Sequence, residues 1–372
     1  MEAEKLVNII NADFYTGVPD SQLKALCNYL YNKYGIDKNH HIIAANEGNC
    51  CALAAGYHFA TGKIPVVYMQ NSGEGNIINP VASLLNDNVY AIPMIFIIGW
   101  RGEPNIHDEP QHIYQGKITL KLLDDINIEY FIISKETTEK QLSEKMKEYN
   151  NILKKGKQVA FVIKKGALQY SEKVVYENNN LMKREQIIEH IVKHTGEDVI
   201  VSTTGKASRE LFEIRERNKQ NHKYDFLTVG SMGHSSSIAL GIALNKPNKK
   251  VWCIDGDGAL LMHMGAMAVI GANNPNNFIH IVINNSSHET VGGMPTVANK
   301  INICEIAKGC GYKNVVCVNT FDKLNIELEK AKKSDVLSLI EVKSSIGARE
   351  DLGRPTNTTV ENKENFMYYL DN

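Results

Sequence analysis

VWCIDGDGALLMHMGAMAVIGANNPNNFIHIVINN, residues 251–285, is the stretch that decides the fold. Val251 to Ile254 reads as a short buried strand, and Phe278 to Ile283 as a second one rich in β-branched residues. Between them, Leu260 to Gly271 is an Ala- and Met-rich run long enough for about three helical turns. Asn273-Asn274-Pro275-Asn276-Asn277 then supplies turn chemistry. A strand–helix–strand crossover is almost always right-handed and makes its two strands parallel. Both C-terminal ends therefore lie on one edge, and adjacent strands stand only ~5 Å apart. Asp257 at the end of the first strand converges there with Asn284 and Asn285 at the end of the second. Open α/β sheets bind their ligands on that edge.

The residue types indicate what binds. One carboxylate, amide oxygens and a glycine-freed backbone suit a hard cation such as Mg²⁺, which keeps substrate phosphates among its other ligands. Gly258 and Ala259 open the following helix, where free N–H groups and the helix dipole favour a phosphate. Gly256-Asp257-Gly258 alone describes a tight turn equally well. The asparagine pair after twenty-five intervening residues favours a metal–diphosphate site instead. An EF-hand loop starting at Asp255 fails, because its twelfth position is Ala266 and not Glu.

A Gly-Asp-Gly turn followed at this spacing by Asn-Asn resembles the signature of the thiamine diphosphate-dependent enzymes. The resemblance implies that Asp257, the Asn285 side chain and the Ser287 backbone carbonyl hold Mg²⁺ against the cofactor's diphosphate. It also places Gly256, Gly258 and Ala259 on the cofactor, together with Thr204 and Gly205 in the turn STTG (202–205) and Ser231 in GSMGH (230–234). Met232, in that Gly-flanked loop, becomes the wedge that bends the cofactor. In the first half of the chain, the strand HIIAA (41–45) runs into Asn46-Glu47-Gly48 and a helix of small residues. A Glu there is favoured by the helix dipole in any fold. By the resemblance, Glu47 shares a proton with the aminopyrimidine ring of the cofactor, a task for a carboxylate that accepts and returns a proton near neutral pH.

Length and composition are consistent with this. The chain has 372 residues, 43% of them hydrophobic, and a net charge of −1, as expected of a soluble protein with two domains of ordinary size. There is no basic excess to suggest nucleic acid, and no apolar run of the ~20 residues that cross a bilayer. The N-terminus MEAEKLVNII is not a signal peptide, and the seven cysteines lack CxxC spacing, so buried free thiols in a reducing cytoplasm are expected. Strands are expected near 41–45, 64–69, 92–98 and 158–164, and again near 198–202, 251–254, 278–284 and 337–343, with a helix near 183–195. These define two α/β halves, 1–165 and 182–372, joined by a polar linker at 166–181. The resemblance makes them two doubly wound parallel-sheet domains, one for the pyrimidine and one for the diphosphate, without the middle domain many relatives carry.

Six further stretches resemble one group within that family, the phosphonopyruvate decarboxylases: GVPDS (17–21), QNSGEGN (70–76), RGEPNIHDEPQH (101–112), GSMGHSSS (230–237), HETVGGMPT (288–296) and AREDLGRP (348–355). The sulfopyruvate decarboxylases are the nearest alternative, and a carboligase that joins the decarboxylated fragment to a second keto acid is a further one. The resemblance implies 3-phosphonopyruvate as substrate and a homodimer or dimer of dimers with active sites between subunits. Arg101, Lys117, Arg349 and Arg354 would meet the phosphonate, for which Arg offers a planar fork of donors, and Asp20 would line the substrate site. His107, Asp108, Glu109 and His112 match no helical zinc-ligand spacing. Asp108, His112 and His288 are instead candidates for the reaction chamber and its proton relay, while His280, mid-strand, reads as core.

Overall fold

The computed structural model describes residues 1–172 and 174–372. The chain divides into two compact units, Met1–Val175 and Tyr176–Asn372. The first unit holds strands β1 (Tyr15–Gly17), β2 (His41–Ile43), β3 (Val66–Gln70), β4 (Met94–Gly99), β5 (Glu129–Ile133) and β6 (Gln158–Ile163). The second holds β7 (Val199–Ser202), β8 (Asp225–Leu227), β9 (Val251–Gly256), β10 (Phe278–Asn284), β11 (Asn314–Val318) and β12 (Ser338–Lys343). All the pairings between these strands are parallel.

The first sheet runs β2-β1-β3-β4-β6-β5 and the second β11-β12-β10-β9-β7-β8. Taken from its β8 edge, the second sheet has the same topology as the first. In each unit the chain turns to opposite sides after its first and third strands, so a ligand-binding crevice opens at the β1/β3 and β7/β9 strand ends. The second sheet is covered on both faces, and side-chain alternation sorts its residues. Ile200, Trp252, Ile254, Ile281 and Ile340 pack against Ile187, Ile191, Leu211 and Leu324 on one side. Val199, Val201, Val251, Cys253, Phe278 and Val282 pack against Ala239, Leu240, Met267 and Ile303 on the other.

Sequence patterning missed four strands. β1 and β8 have only three residues each, and β5 and β11 lie at sheet edges. The single helix expected over 260–271 is two, Asp257–Met262 and Gly265–Asn273. The break at His263 follows from a tertiary contact: the loop through Gly233 presses so closely that a Cβ there would lie 2.7 Å from His263 Cδ2 and 2.9 Å from the Ala259 carbonyl. All seven cysteines are free; five are buried, but Cys310 is half-buried and Cys317 exposed. His280 is fully buried, its ring bonded to the Tyr312 hydroxyl and Asp255. Among the described residues, no helix is long and apolar enough to cross a membrane.

Candidate active site

In the second unit, β9 and β10 are direct neighbours, with Ile283 opposite Gly256, and so Asp257 and Asn285 follow side by side at the strand ends. Asp257 is the first residue of its helix and almost fully buried. Burial pushes its carboxyl up to about 6, opposed by the Thr296 hydroxyl and the backbone N–H groups of Asp257, Gly258 and Asn285. Thr296 donates to Oδ2 at 2.5 Å. Among the described residues, no basic side chain is among the main groups acting on this carboxylate.

Asn285 accepts the Ser287 N–H on Oδ1 at 3.0 Å and donates from Nδ2 to Glu289 at 2.9 Å. Asn284 is turned away: it holds Glu341 through Nδ2 and the Ser286 N–H and hydroxyl through Oδ1. Ser286 takes a positive φ of 57°, which redirects the chain towards Ser287 and His288. A Cβ added to Gly258 would lie 3.1 Å from the His288 ring and 3.4 Å from Met232 Cε, so Gly258 lets both side chains close in on the helix start. Burial pushes the His288 imidazole down to about 4 and leaves it neutral at neutral pH. Across the β7/β9 crevice, Gly205, with a φ of 85°, follows Thr204 and precedes the helix Lys206–Arg217. Ser231, at a φ of 52°, shapes the exposed turn before half-buried Met232.

The donor set suits a Mg²⁺–diphosphate group. Asp257 is a desolvated carboxylate without a basic partner among the described residues, the situation a bound divalent ion reverses. A Cβ at Gly256 would meet nothing within 4 Å, so space is open at the strand end.

The first unit presents its own acids at the same edge. Glu47 starts the helix Glu47–Thr61, capped by the Asn46 side chain, and is 4% exposed. Burial raises its carboxyl, and the 2.7 Å hydrogen bond from Asn76 Nδ2 opposes that. Gly73 is required here, because a Cβ would lie 2.5 Å from Glu47 Cγ and Oε1. Asp20, just after β1, is fully buried and pushed up to about 7; Oδ2 accepts the Gln22 N–H, while Oδ1 has no partner. Glu74, which opens the next helix, is fully buried with both oxygens unpartnered, and burial pushes it up to about 9.

Three of the residues named from the sequence are engaged in ion pairs. Arg101 grips both oxygens of Asp108, at 2.8 and 2.5 Å, and the Gly102 and Glu109 N–H groups add to that. Burial opposes the charge on Asp108, yet these bonds hold it down at about 2. Arg101 is bonded to Asp108 and the Ser21 hydroxyl. Arg349 pairs with Glu185, Glu213 and Asp351. His112, pushed down to about 4 by burial and by Arg101, is neutral. Lys117 and Arg354 are exposed. Sequence reasoning passed over Glu289 and Thr296, although both lie in the quoted HETVGGMPT stretch, and Asn76 and Glu74 in QNSGEGN.

Two family models match the chain: thiamine pyrophosphate enzyme, N-terminal TPP binding domain, over residues 3–128, and its C-terminal TPP binding domain over residues 203–342. The chain is 31% identical to a phosphonopyruvate decarboxylase of Streptomyces viridochromogenes, over 95% of this chain and 90% of that protein. It is 28% identical to a sulfopyruvate decarboxylase of Methanosarcina acetivorans, over 80% of this chain and 79% of that one. It is also 38% identical to the sulfopyruvate decarboxylase subunit beta of Methanocaldococcus jannaschii, over 44% of this chain and 84% of that subunit.

Proposed function

The chain belongs to the thiamine pyrophosphate enzymes, and on that premise we propose that it converts 3-phosphonopyruvate to phosphonoacetaldehyde and CO₂. At the coarser level it is a thiamine pyrophosphate-dependent decarboxylase of the phosphonopyruvate or sulfopyruvate type. The phosphonate choice is supported by the likeness to a phosphonopyruvate decarboxylase, which extends over 95% of the chain.

The observation that carries the chemistry is the pairing of Asp257 and Asn285 at adjacent parallel strand ends beside an open glycine turn. Asp257, the Asn285 side chain and the Ser287 carbonyl would hold Mg²⁺, with Thr204, Gly205, Ser231 and Gly256 to Ala259 about the diphosphate. When bound, thiamine diphosphate supplies an electron sink for the pair released as CO₂ leaves. Glu47 would exchange a proton with the aminopyrimidine, a role that its raised carboxyl and the Asn76 hydrogen bond support. Met232 would pack beneath the cofactor, and the neutral His288 imidazole would offer a ring N–H to the reacting fragment. Arg101, Lys117, Arg349 and Arg354 are the cations proposed to meet the phosphonate, with Asp20 lining the substrate site. Glu47 and Asp257 come from different subunits of a homodimer or dimer of dimers.

Purified protein with Mg²⁺ and thiamine diphosphate should be offered phosphonopyruvate, sulfopyruvate and pyruvate separately. Aldehyde and CO₂ should form from phosphonopyruvate far faster than from the others. Preferential turnover of sulfopyruvate would reassign the substrate, and a hydroxyketone product would reassign the reaction to carboligation.

A further inference from the structure

Glu289 stands where four segments of the second unit meet. Its Oε2 accepts Asn285 Nδ2 at 2.9 Å, Arg184 Nη1 at 3.0 Å and the Gly347 N–H at 3.1 Å. Its Oε1 accepts Lys206 Nζ at 3.1 Å and Arg184 Nη2 at 3.3 Å. Arg184 turns its other edge to Glu210, at 2.7 and 2.8 Å. Two carboxylates thus face two cations, and a buried ionic cluster is sustained only when its charges are paired in this way.

Both oxygens of Glu289 already accept from Arg184, Lys206 or the Gly347 N–H, so this carboxylate meets its neighbours as an acceptor. Only the NH₂ end of the Asn285 amide can therefore face Glu289. The oxygen end is fixed independently by the Ser287 N–H at 3.0 Å. The amide is pinned at both ends, with its oxygen turned to Ser287 and its NH₂ to Glu289.

We infer that Glu289 is a positioning residue for the Mg²⁺–diphosphate site: it dictates which end of Asn285 faces the cation, and it makes an amide obligatory at position 285. The inference rests on the proposed role of Asn285 as a metal ligand. A carboxylate at 285 would be a stronger ligand for a hard cation, so an asparagine there needs a cause. Glu289 is that cause, because a second carboxylate at 2.9 Å would lose the hydrogen bond and gain a like-charge neighbour. Through Lys206 and Gly347 the same side chain also ties the metal loop to the helix after Gly205 and to the segment leading into AREDLGRP.

Four proteins test this: wild type, Asn285→Asp, Glu289→Gln and the double variant. The Mg²⁺ dissociation constant at fixed thiamine diphosphate is measured by calorimetry, with the melting temperature of each apoprotein followed in parallel. Asn285→Asp should weaken Mg²⁺ binding ~10-fold, because the like-charged Glu289 opposes the introduced carboxylate where the amide donated. Glu289→Gln alone should weaken it less, because the new amide oxygen still accepts from Asn285. The double variant should return to within a few-fold of wild type, since the introduced amide at 289 donates to the introduced carboxylate at 285. A merely structural role for Glu289 predicts the opposite, with the double variant worse than either single one. Wild-type affinity in Asn285→Asp, or no recovery in the double variant, overturns the inference. A wild-type protein that binds neither Mg²⁺ nor thiamine diphosphate would overturn the metal-site reading itself, and that result is separable from the first two.

Discussion

Asp20, Glu47, Glu74 and Asp257 are acids that burial has pushed towards the neutral form. Three of them have an assigned partner, substrate or cation to oppose that push. Glu74 has none, and desolvation is the sole influence on it. Its folded value of about 9 stands above the ordinary ~4.3 of an unfolded Glu, so the folded state holds the extra proton between those limits. Its contribution to stability is therefore complete below the unfolded value and is lost as pH rises through that window. Wild-type thermal stability should decline between pH 6 and 9, and Glu74→Met should decline less. At pH 8 the Met variant should be the more stable by ~1–3 kcal/mol, the cost of a buried polar group without partners. Parallel melting curves for the two proteins across that range would show that Glu74 is hydrated or paired after all.

At the scale of elements, the legible parts were those where one local pattern decides. β9 and β10 are apolar runs whose ends carry chemistry, and the placement of Asp257 and Asn285 follows from parallel geometry alone. In the loop 101–112 the Arg101–Asp108 pair was not legible, because it spans seven residues of irregular chain, where no period connects partners. Glu289 was invisible for a related reason: its partners Arg184, Lys206 and Gly347 lie 58 to 105 residues away in sequence. Gly73 illustrates how two elements are fitted together at the site. Its φ of −77° suits any residue, so the missing side chain serves contact alone, with Glu47 at the start of the neighbouring helix. Gly73→Ala should fold with a nearly unchanged melting temperature and still bind Mg²⁺. Its kcat should drop on the order of 100-fold, as expected when a reacting group is displaced by about 1 Å. A wild-type kcat would mean that Glu47 gives way freely, or that its position does not govern the rate.

At the scale of the whole molecule, the two units share one strand order, yet each supplies a different acid at its ligand-binding edge, Glu47 in the first and Asp257 in the second. The proposed assembly would bring a first unit of one subunit to a second unit of its partner and make a single chain inactive by itself. In a two-fold dimer each site then contains one Glu47 and one Asp257 from different chains. The arrangement is tested with Glu47→Ala and Asp257→Ala proteins, each expected to be inactive, unfolded together and reassembled. A mixed dimer would place both lesions in one site and leave the other intact. Random pairing makes half the dimers mixed, so activity should return to ~25% of wild type if sites act independently. Dimers of dimers give the same fraction when each site spans one pair. If mass spectrometry shows mixed dimers and no activity returns, each site is built within one chain; the roles of Glu47 and Asp257 would survive that outcome, and the shared site would not.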